Sequence, residues 1–227
     1  MNTLTIFLGV LLLIIIFYFT FNSGSQELSK KLDLGLGAQT SIKADTLDQP
    51  GSAKYSYEMW VYVYQAESTE QYIISRRSAS ATDVNPVKNI GIKIAGGQPK
   101  LELEYTSANA KKTVTITDNL PLQTWVHLIV SVDGNGFIDA YINGKLVKSF
   151  KDAGIDTPSA TTDIAYGTAK CYLAKLTRTT KATDPQTAWD KYMAGNGENP
   201  FAKYLSSFGL TMTLQKNNQD YSKVTFF

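Results

Sequence analysis

The sequence predicts a mainly β protein: an antiparallel β-sandwich of jelly-roll type with two short C-terminal helices, preceded by one transmembrane helix. Three observations carry this reading. Residues 1–26 hold no charged side chain, the first being Glu27. From Lys54 onward, apolar residues recur at every second position in many short runs, the period of a strand with one buried face. Turn residues separate the runs, among them Asn143-Gly144, a pair that accepts the positive φ angles of a two-residue hairpin.

The apolar segment spans residues 4–21. It is carried by Leu4, Ile6, Phe7, Leu8, Val10, Leu11, Leu12, Leu13, Ile14, Ile15, Ile16, Phe17, Tyr18, Phe19 and Phe21, with Thr5, Gly9 and Thr20 as mild interruptions. About 18–20 helical residues cross a hydrocarbon core of about 30 Å, and only a helix satisfies its own backbone there. The aromatic cluster at its C-terminal end suits the interface. A cleaved signal peptide fits less well, because no Lys or Arg precedes Leu4 and a signal core is shorter, about 7–15 residues. A single-pass membrane location is therefore expected. Lys30 and Lys31 follow the span and lean the following domain towards the cytoplasmic side, although Glu27 and Asp33 flank them and the orientation stays open.

Residues 27–53 are polar, with Gly35, Gly37 and Pro50-Gly51, and are expected to form a connector between the anchor (1–26) and the sandwich (54–227). The sandwich opens at Tyr55–Tyr64, with Tyr57, Met59, Val61 and Val63 on one face. Ser56, Glu58, Trp60, Tyr62 and Tyr64 occupy the other. Strands are expected over 71–76, 90–94, 101–105 and 113–117. Residues 125–133 and 137–142 pair across Asp133–Gly136, and Asn143-Gly144 leads into 145–150. Late strands are expected over 171–178, 210–216 and 221–227. Asp184-Pro185 opens one helix that stops at Gly195. Asn199-Pro200 opens a second through Phe208. No run alternates strand with helix, which argues against a parallel α/β fold.

Composition excludes several functions. A net charge of +2 over 227 residues supplies no basic field for nucleic acid. One cysteine, Cys171, cannot build a disulfide scaffold; it begins an apolar strand and is expected to be buried. Gly96-Gly97 and Gly134–Gly136 suit hairpin turns and match no phosphate-loop pattern.

The stretches YSYEMWVYV (55–63) and TWVHLIVSVDGNGFIDAYINGKLV (124–147), followed by the strand at 171–178, resemble the concanavalin A-like lectin/glucanase superfamily, and within it the laminin-G-like and pentraxin-like jelly rolls. The order of anchor, short connector and laminin-G-like domain also resembles membrane-anchored minor capsid or virion membrane proteins of large icosahedral DNA viruses. The unpaired cysteine and the absence of any Asn-x-Ser/Thr sequon argue mildly against an oxidising, glycosylating lumen.

What the resemblance implies must then be weighed against these residues. Glucanases of the superfamily carry a Glu-x-Asp-x-x-Glu or Glu-x-Asp-x-Glu strand, and a retaining mechanism needs two carboxylates about 5–5.5 Å apart. No Glu-x-Asp occurs here. Glu102 and Glu104 share one strand face with Lys100 and are expected to be solvated, and no catalytic residue is assigned. His127, the single histidine, makes neither a triad nor a metal site alone. Calcium is the cofactor the relatives would supply, and Asp83 with Asn85, Asp118 with Asn119, and Asp156 with Asp163 are its loop candidates. Their spacing matches no calcium motif, so no metal site is assigned. Trp60, Tyr62 and Tyr64 are the candidate contact surface, for protein or for glycan; equally, their face can pack under a second layer. The resulting expectation is a non-enzymatic structural protein linking a membrane to a protein shell, placed in a virion between inner membrane and capsid. A membrane-tethered lectin is the alternative.

Overall fold

The alternation in Lys54–Val63 places two kinds of side chain on opposite faces of one central strand, and the whole architecture follows from it. The computed structural model describes residue 11 and residues 25–37, 41–77, 87–196, 211–216 and 219–225. Its strands are β1 (Ser25–Asp33), β2 (Lys54–Val63), β3 (Gln71–Arg77), β4 (Val87–Ile94), β5 (Leu101–Ser107), β6 (Ala110–Thr117), β7 (Trp125–Asp133), β8 (Phe137–Ile142), β9 (Lys145–Lys151), β10 (Ile164–Tyr166) and β11 (Cys171–Thr179). Helix α1 (Pro185–Met193) follows, then β12 (Thr211–Lys216) and β13 (Gln219–Thr225).

Two antiparallel sheets face each other. One has the order β1-β11-β2-β7-β8-β9 and the other β10-β3-β4-β5-β6, while β12 and β13 pair as a separate hairpin. Between β2 and β7, Tyr55 pairs Val132, Tyr57 pairs Val130, Met59 pairs Leu128 and Val61 pairs Val126. All eight are buried, and they pack in one core with Ile74, Ile92, Leu101 and Leu103 of the facing sheet. Burying each such aliphatic side chain contributes about 1.5–3 kcal/mol. Cys171 belongs to this core, and burial pushes its thiol up to about 12.

The Asn143-Gly144 turn forms as expected, with φ of 50° and 74°. The Asn143 backbone N–H donates to the His127 carbonyl, and its side-chain oxygen accepts from the His127 N–H at 2.9 Å. Helix α1 starts where Asp184-Pro185 predicts. The Asp184 carboxylate accepts from the Thr187 N–H at 3.0 Å, satisfying one of the orphan donors of a first turn. Beyond the last turn, Gly195 takes φ 74°.

Two expectations change. The polar segment at 27–53 is not only a connector, because Ser25–Asp33 pairs with β11 as an edge strand. Leu28 and Leu32 pack on the core. A register shift between Glu27 and Ser29 breaks the two-residue alternation that would have revealed the strand. Asp33 then ends the strand by accepting from the Gly35 N–H at 2.9 Å, and Leu34 is fully buried. The other change concerns Glu104. It is buried rather than solvated, with its carboxylate accepting from Tyr72 Oη at 2.8 Å, Lys111 Nζ at 2.7 Å and Lys93 Nζ at 3.1 Å.

The membrane-anchor residues lie outside the described residues, apart from Leu11, as does the helix expected at 199–208. Among the described residues no helix is long and apolar enough to cross a membrane.

Candidate functional site

The outer face of the six-stranded sheet carries two rows of side chains in cross-strand register. In one row Asp33 pairs Tyr172, Tyr172 pairs Tyr62, and Tyr62 pairs Trp125. In the next, Lys31 pairs Ala174, Ala174 pairs Trp60, and Trp60 pairs His127. Helix α1 decides which row stays open.

Trp60 lies under the helix. Only 7% of it is exposed, its ring stacks on Tyr192 at 5.8 Å, and it lies over His127 at 4.9 Å. The fully buried His127 sets Nε2 3.2 Å from Glu58 Oε1, and Lys191 Nζ donates to Glu58 Oε2 at 2.6 Å. Burial raises the Glu58 carboxyl, but His127 and Lys191 outweigh it and hold the group below the ordinary carboxylate range. Ala188 completes the seat on Ile129 and Tyr141. This cluster fastens the helix and is closed to a ligand.

The other row is open. Tyr172 is 38% exposed, and Tyr62, Tyr64 and Trp125 are half-buried beside it. Tyr172 lies 5.2 Å from Tyr64 and 5.9 Å from Tyr62, and Tyr62 lies 5.6 Å from Trp125. These centroid separations are those of favourable aromatic pairs. Tyr64 donates to Asp33 at 3.2 Å, and its hydroxyl fills the space where a Gly35 Cβ would stand. The turn after β1 therefore seats this ring. Beside the row opens a groove of about 380 Å³ lined by Glu27, Lys30, Lys31, Trp125, Ala174, Lys175 and Asn196. Its wall includes a β-bulge in β11, between Ala174 and Thr177, where Lys175 adopts φ 50° and donates to the Gly195 carbonyl at 2.9 Å.

The three sequence-selected aromatics thus part company. Tyr62 and Tyr64 share the open corner, and Trp60 does not. Tyr172 and Trp125 join it without having been selected. Each has the right strand phase, but only the register of β11 on β2 and of β2 on β7 brings them together.

Among the described residues, the carboxylates and the histidine hold no comparable site. Glu102 is tied to Lys100 at 3.0 Å, and Glu104 is ringed by Lys93, Lys111 and Tyr72. Burial raises the Glu104 carboxyl, and Lys111, Tyr72 and Lys93 together bring it below the ordinary range. That environment keeps the group ionised, the opposite of what a general acid needs. Asp163 is taken by Lys43 and the Ala44 N–H, each at 2.9 Å. Among the described residues no three His, Cys, Asp or Glu side chains gather where they could hold a metal. Asp83 and Asn85 lie outside them.

Comparison with known proteins agrees with this architecture. The receptor-binding domain of botulinum neurotoxin D is 15% identical with a TM-score of 0.54, over 66% of this chain and 40% of that one. The type G botulinum neurotoxin receptor-binding domain is 16% identical with a TM-score of 0.51, over 74% and 51%. The binding domain of botulinum neurotoxin DC in complex with SialylT is 14% identical with a TM-score of 0.50, over 62% and 35%. The chain spans about a third to a half of these structures, and at such identities the likeness is one of fold. No curated protein sequence matches the chain. The profile of the concanavalin A-like lectin/glucanases superfamily, in its laminin G form, matches residues 36–183, and with most of its length inside that match the chain belongs to this superfamily.

Proposed function

We propose that the chain is a non-enzymatic, membrane-tethered, lectin-like binding module, and that its ligand surface is the open aromatic corner of Tyr62, Tyr64, Trp125 and Tyr172. The observation that carries this is the partly exposed row of rings beside a groove of about 380 Å³. Such a volume suits a small ligand rather than a protein surface. Ring faces stack on the apolar faces of sugar rings, and polar groups around them fix orientation.

Chain geometry supports the same reading. The apolar segment ends at Phe21, and β1 begins at Ser25. A membrane span over residues 4–21 would therefore tether the sheet through residues 22–24 alone. The fixed, lysine-paired carboxylates are the basis for a non-catalytic role.

The test is a glycan array probed with the full chain in lipid nanodiscs. Selective binding to a set of glycans, lost in Tyr172→Ala, is the expected result. An array at background throughout would refute the reading.

A second reading is favoured by a different surface. Leu146, Val147, Trp189 and Met193 are exposed on the edge strand β9 and on helix α1, where apolar side chains suit a protein contact. Under this reading the module links a membrane to a protein shell, as a minor capsid protein of a large icosahedral DNA virus would. Co-purification of shell proteins with the full chain, lost in Val147→Asp, would support it. Unchanged co-purification in that variant would count against it.

A further inference from the structure

The groove beside the aromatic corner has a charge that its stacking role does not need. Lys30, Lys31 and Lys175 line it, and Glu27 is the one carboxylate among its lining residues. Lys30 and Lys31 are exposed, and neither forms an ion pair among the described residues. Lysines on an edge strand commonly keep other chains from pairing with it, and that would account for these two.

It does not account for Lys175. This residue sits inside the sheet, at a bulge, with φ 50°. A non-glycine residue in that region is strained and persists where the surroundings impose it. The bulge turns the side chain onto the outer face, where the Gly195 carbonyl fixes the ammonium at 2.9 Å. An ammonium carries three donors, so two remain for a ligand on a head that is already immobilised. Ala174 keeps the floor clear of side-chain bulk, and Trp125 supplies an apolar wall.

We infer that this groove binds the carboxylate or sulfate of an acidic saccharide, through Lys30, Lys31 and Lys175, while the aromatic corner stacks the neighbouring sugar ring. The inference rests on the glycan-binding reading above and names its ligand class. Lipid phosphate of the chain's own membrane is the competing source of negative charge. Displacement of the sugar by anionic vesicles distinguishes the two sources. The ammonium groups meet the anion directly, so no divalent cation is needed between ligand and protein.

The experiment uses the full chain in detergent, titrated by calorimetry with matched probes: 3′-sialyllactose against lactose, and a sulfated chondroitin tetrasaccharide against its desulfated form. The acidic member of at least one pair is expected to bind roughly tenfold more tightly. That advantage should vanish in Lys30→Gln/Lys31→Gln and shrink between about 50 and 500 mM salt, and it should survive EDTA. Because both lysines are exposed, the double variant should keep its circular dichroism and melting temperature. Equal binding of acidic and neutral members, or an advantage untouched by the double variant, would overturn the inference and leave the glycan reading intact. Loss of binding in EDTA, or displacement of the sugar by anionic phosphatidylserine vesicles, would also overturn it. Absence of binding to every glycan on the array would remove the reading on which it rests.

Discussion

Glu58 and Lys191 stand 133 residues apart in sequence and meet at 2.6 Å, carboxylate to ammonium, joining the central strand β2 to helix α1. The same carboxylate reaches His127 with its other oxygen, so one side chain fastens the helix and orients the ring beneath it. This contact closes one half of the outer sheet face and leaves the other half open.

Removing Glu58 should therefore loosen the helix. Glu58→Ala leaves a buried imidazole and a lysine without their shared acceptor. The expected loss is about 2–3 kcal/mol in urea denaturation, near the lower end for a broken buried pair because Lys191 is partly exposed. Lys191→Met should cost less, about 1 kcal/mol. Trp60 is covered by Tyr192, and its emission should shift to the red in Glu58→Ala. Equal stability of Glu58→Ala and the parent chain would contradict the role assigned to this contact.

The Asn143-Gly144 turn carries a second load. At Gly144 an added Cβ would lie 3.1 Å from Trp189 Cα and 3.1 Å from Tyr192 Cβ, and φ is 74°. At Gly97 φ is 71°, yet nothing lies within 4 Å. Gly97→Ala should cost about 1 kcal/mol from backbone conformation alone. Gly144→Ala should cost about 1–3 kcal/mol more, from displacing α1. The difference between the two denaturation midpoints measures the packing of helix on turn.

These contacts show what was legible in the sequence and what was not. The alternation in β2, the Asn-Gly turn and the Asp184-Pro185 helix start are local signals, and each appears where it was expected. β1 escaped because its sequence, SQELSKKLD, is polar and its one register shift hides the inward phase of Leu28 and Leu32. The sequence left the burial of Trp60 open, because period two puts it on the outer face and only tertiary packing of Tyr192 decides that the face is covered there. The open corner was half visible. Tyr62 and Tyr64 are neighbours in sequence, whereas Tyr172 and Trp125 reach them only through strand pairing.

Stability should fall towards acid. Glu58 and Glu104 have carboxyls held below their ordinary values, and Lys112 with Ser107 and the Gly154 N–H pulls Asp152 down to about 2. A depressed acid stabilises the fold above its unfolded value and loses that contribution as pH falls through its folded value. The melting temperature should therefore begin to drop below the ordinary carboxylate range, about pH 4–4.5, and continue down to about pH 2. Tyr105 and Tyr141 are raised to about 12, chiefly by burial. They hold protons that the unfolded chain releases near pH 10, so stability should also fall between about pH 10 and 12. Thermal melts across this range check both limbs; a flat acid limb would contradict the carboxylate assignments.

The two strand carboxylates should behave as structural groups of unequal weight. Glu104→Gln leaves Lys93 and Lys111 without their buried partner and should cost about 2–3 kcal/mol. Glu102→Gln loses a partly exposed pair with Lys100 and a longer one of 3.9 Å to Lys93, which keeps Glu70 and Glu104, and should cost about 1 kcal/mol. Urea denaturation checks the order. Any β-glucan hydrolysis abolished by both variants would contradict a non-enzymatic role.

The central claim is that the outer aromatic corner, and not the buried Trp60, receives the ligand. The most direct measurement is the glycan affinity and melting temperature of the full chain for Tyr172→Ala beside Trp60→Ala. Tyr172→Ala should lose at least about tenfold in affinity with its melting temperature within about 2 °C of the parent. Trp60→Ala should instead lose about 3 kcal/mol of stability. Full glycan affinity in Tyr172→Ala would contradict the account.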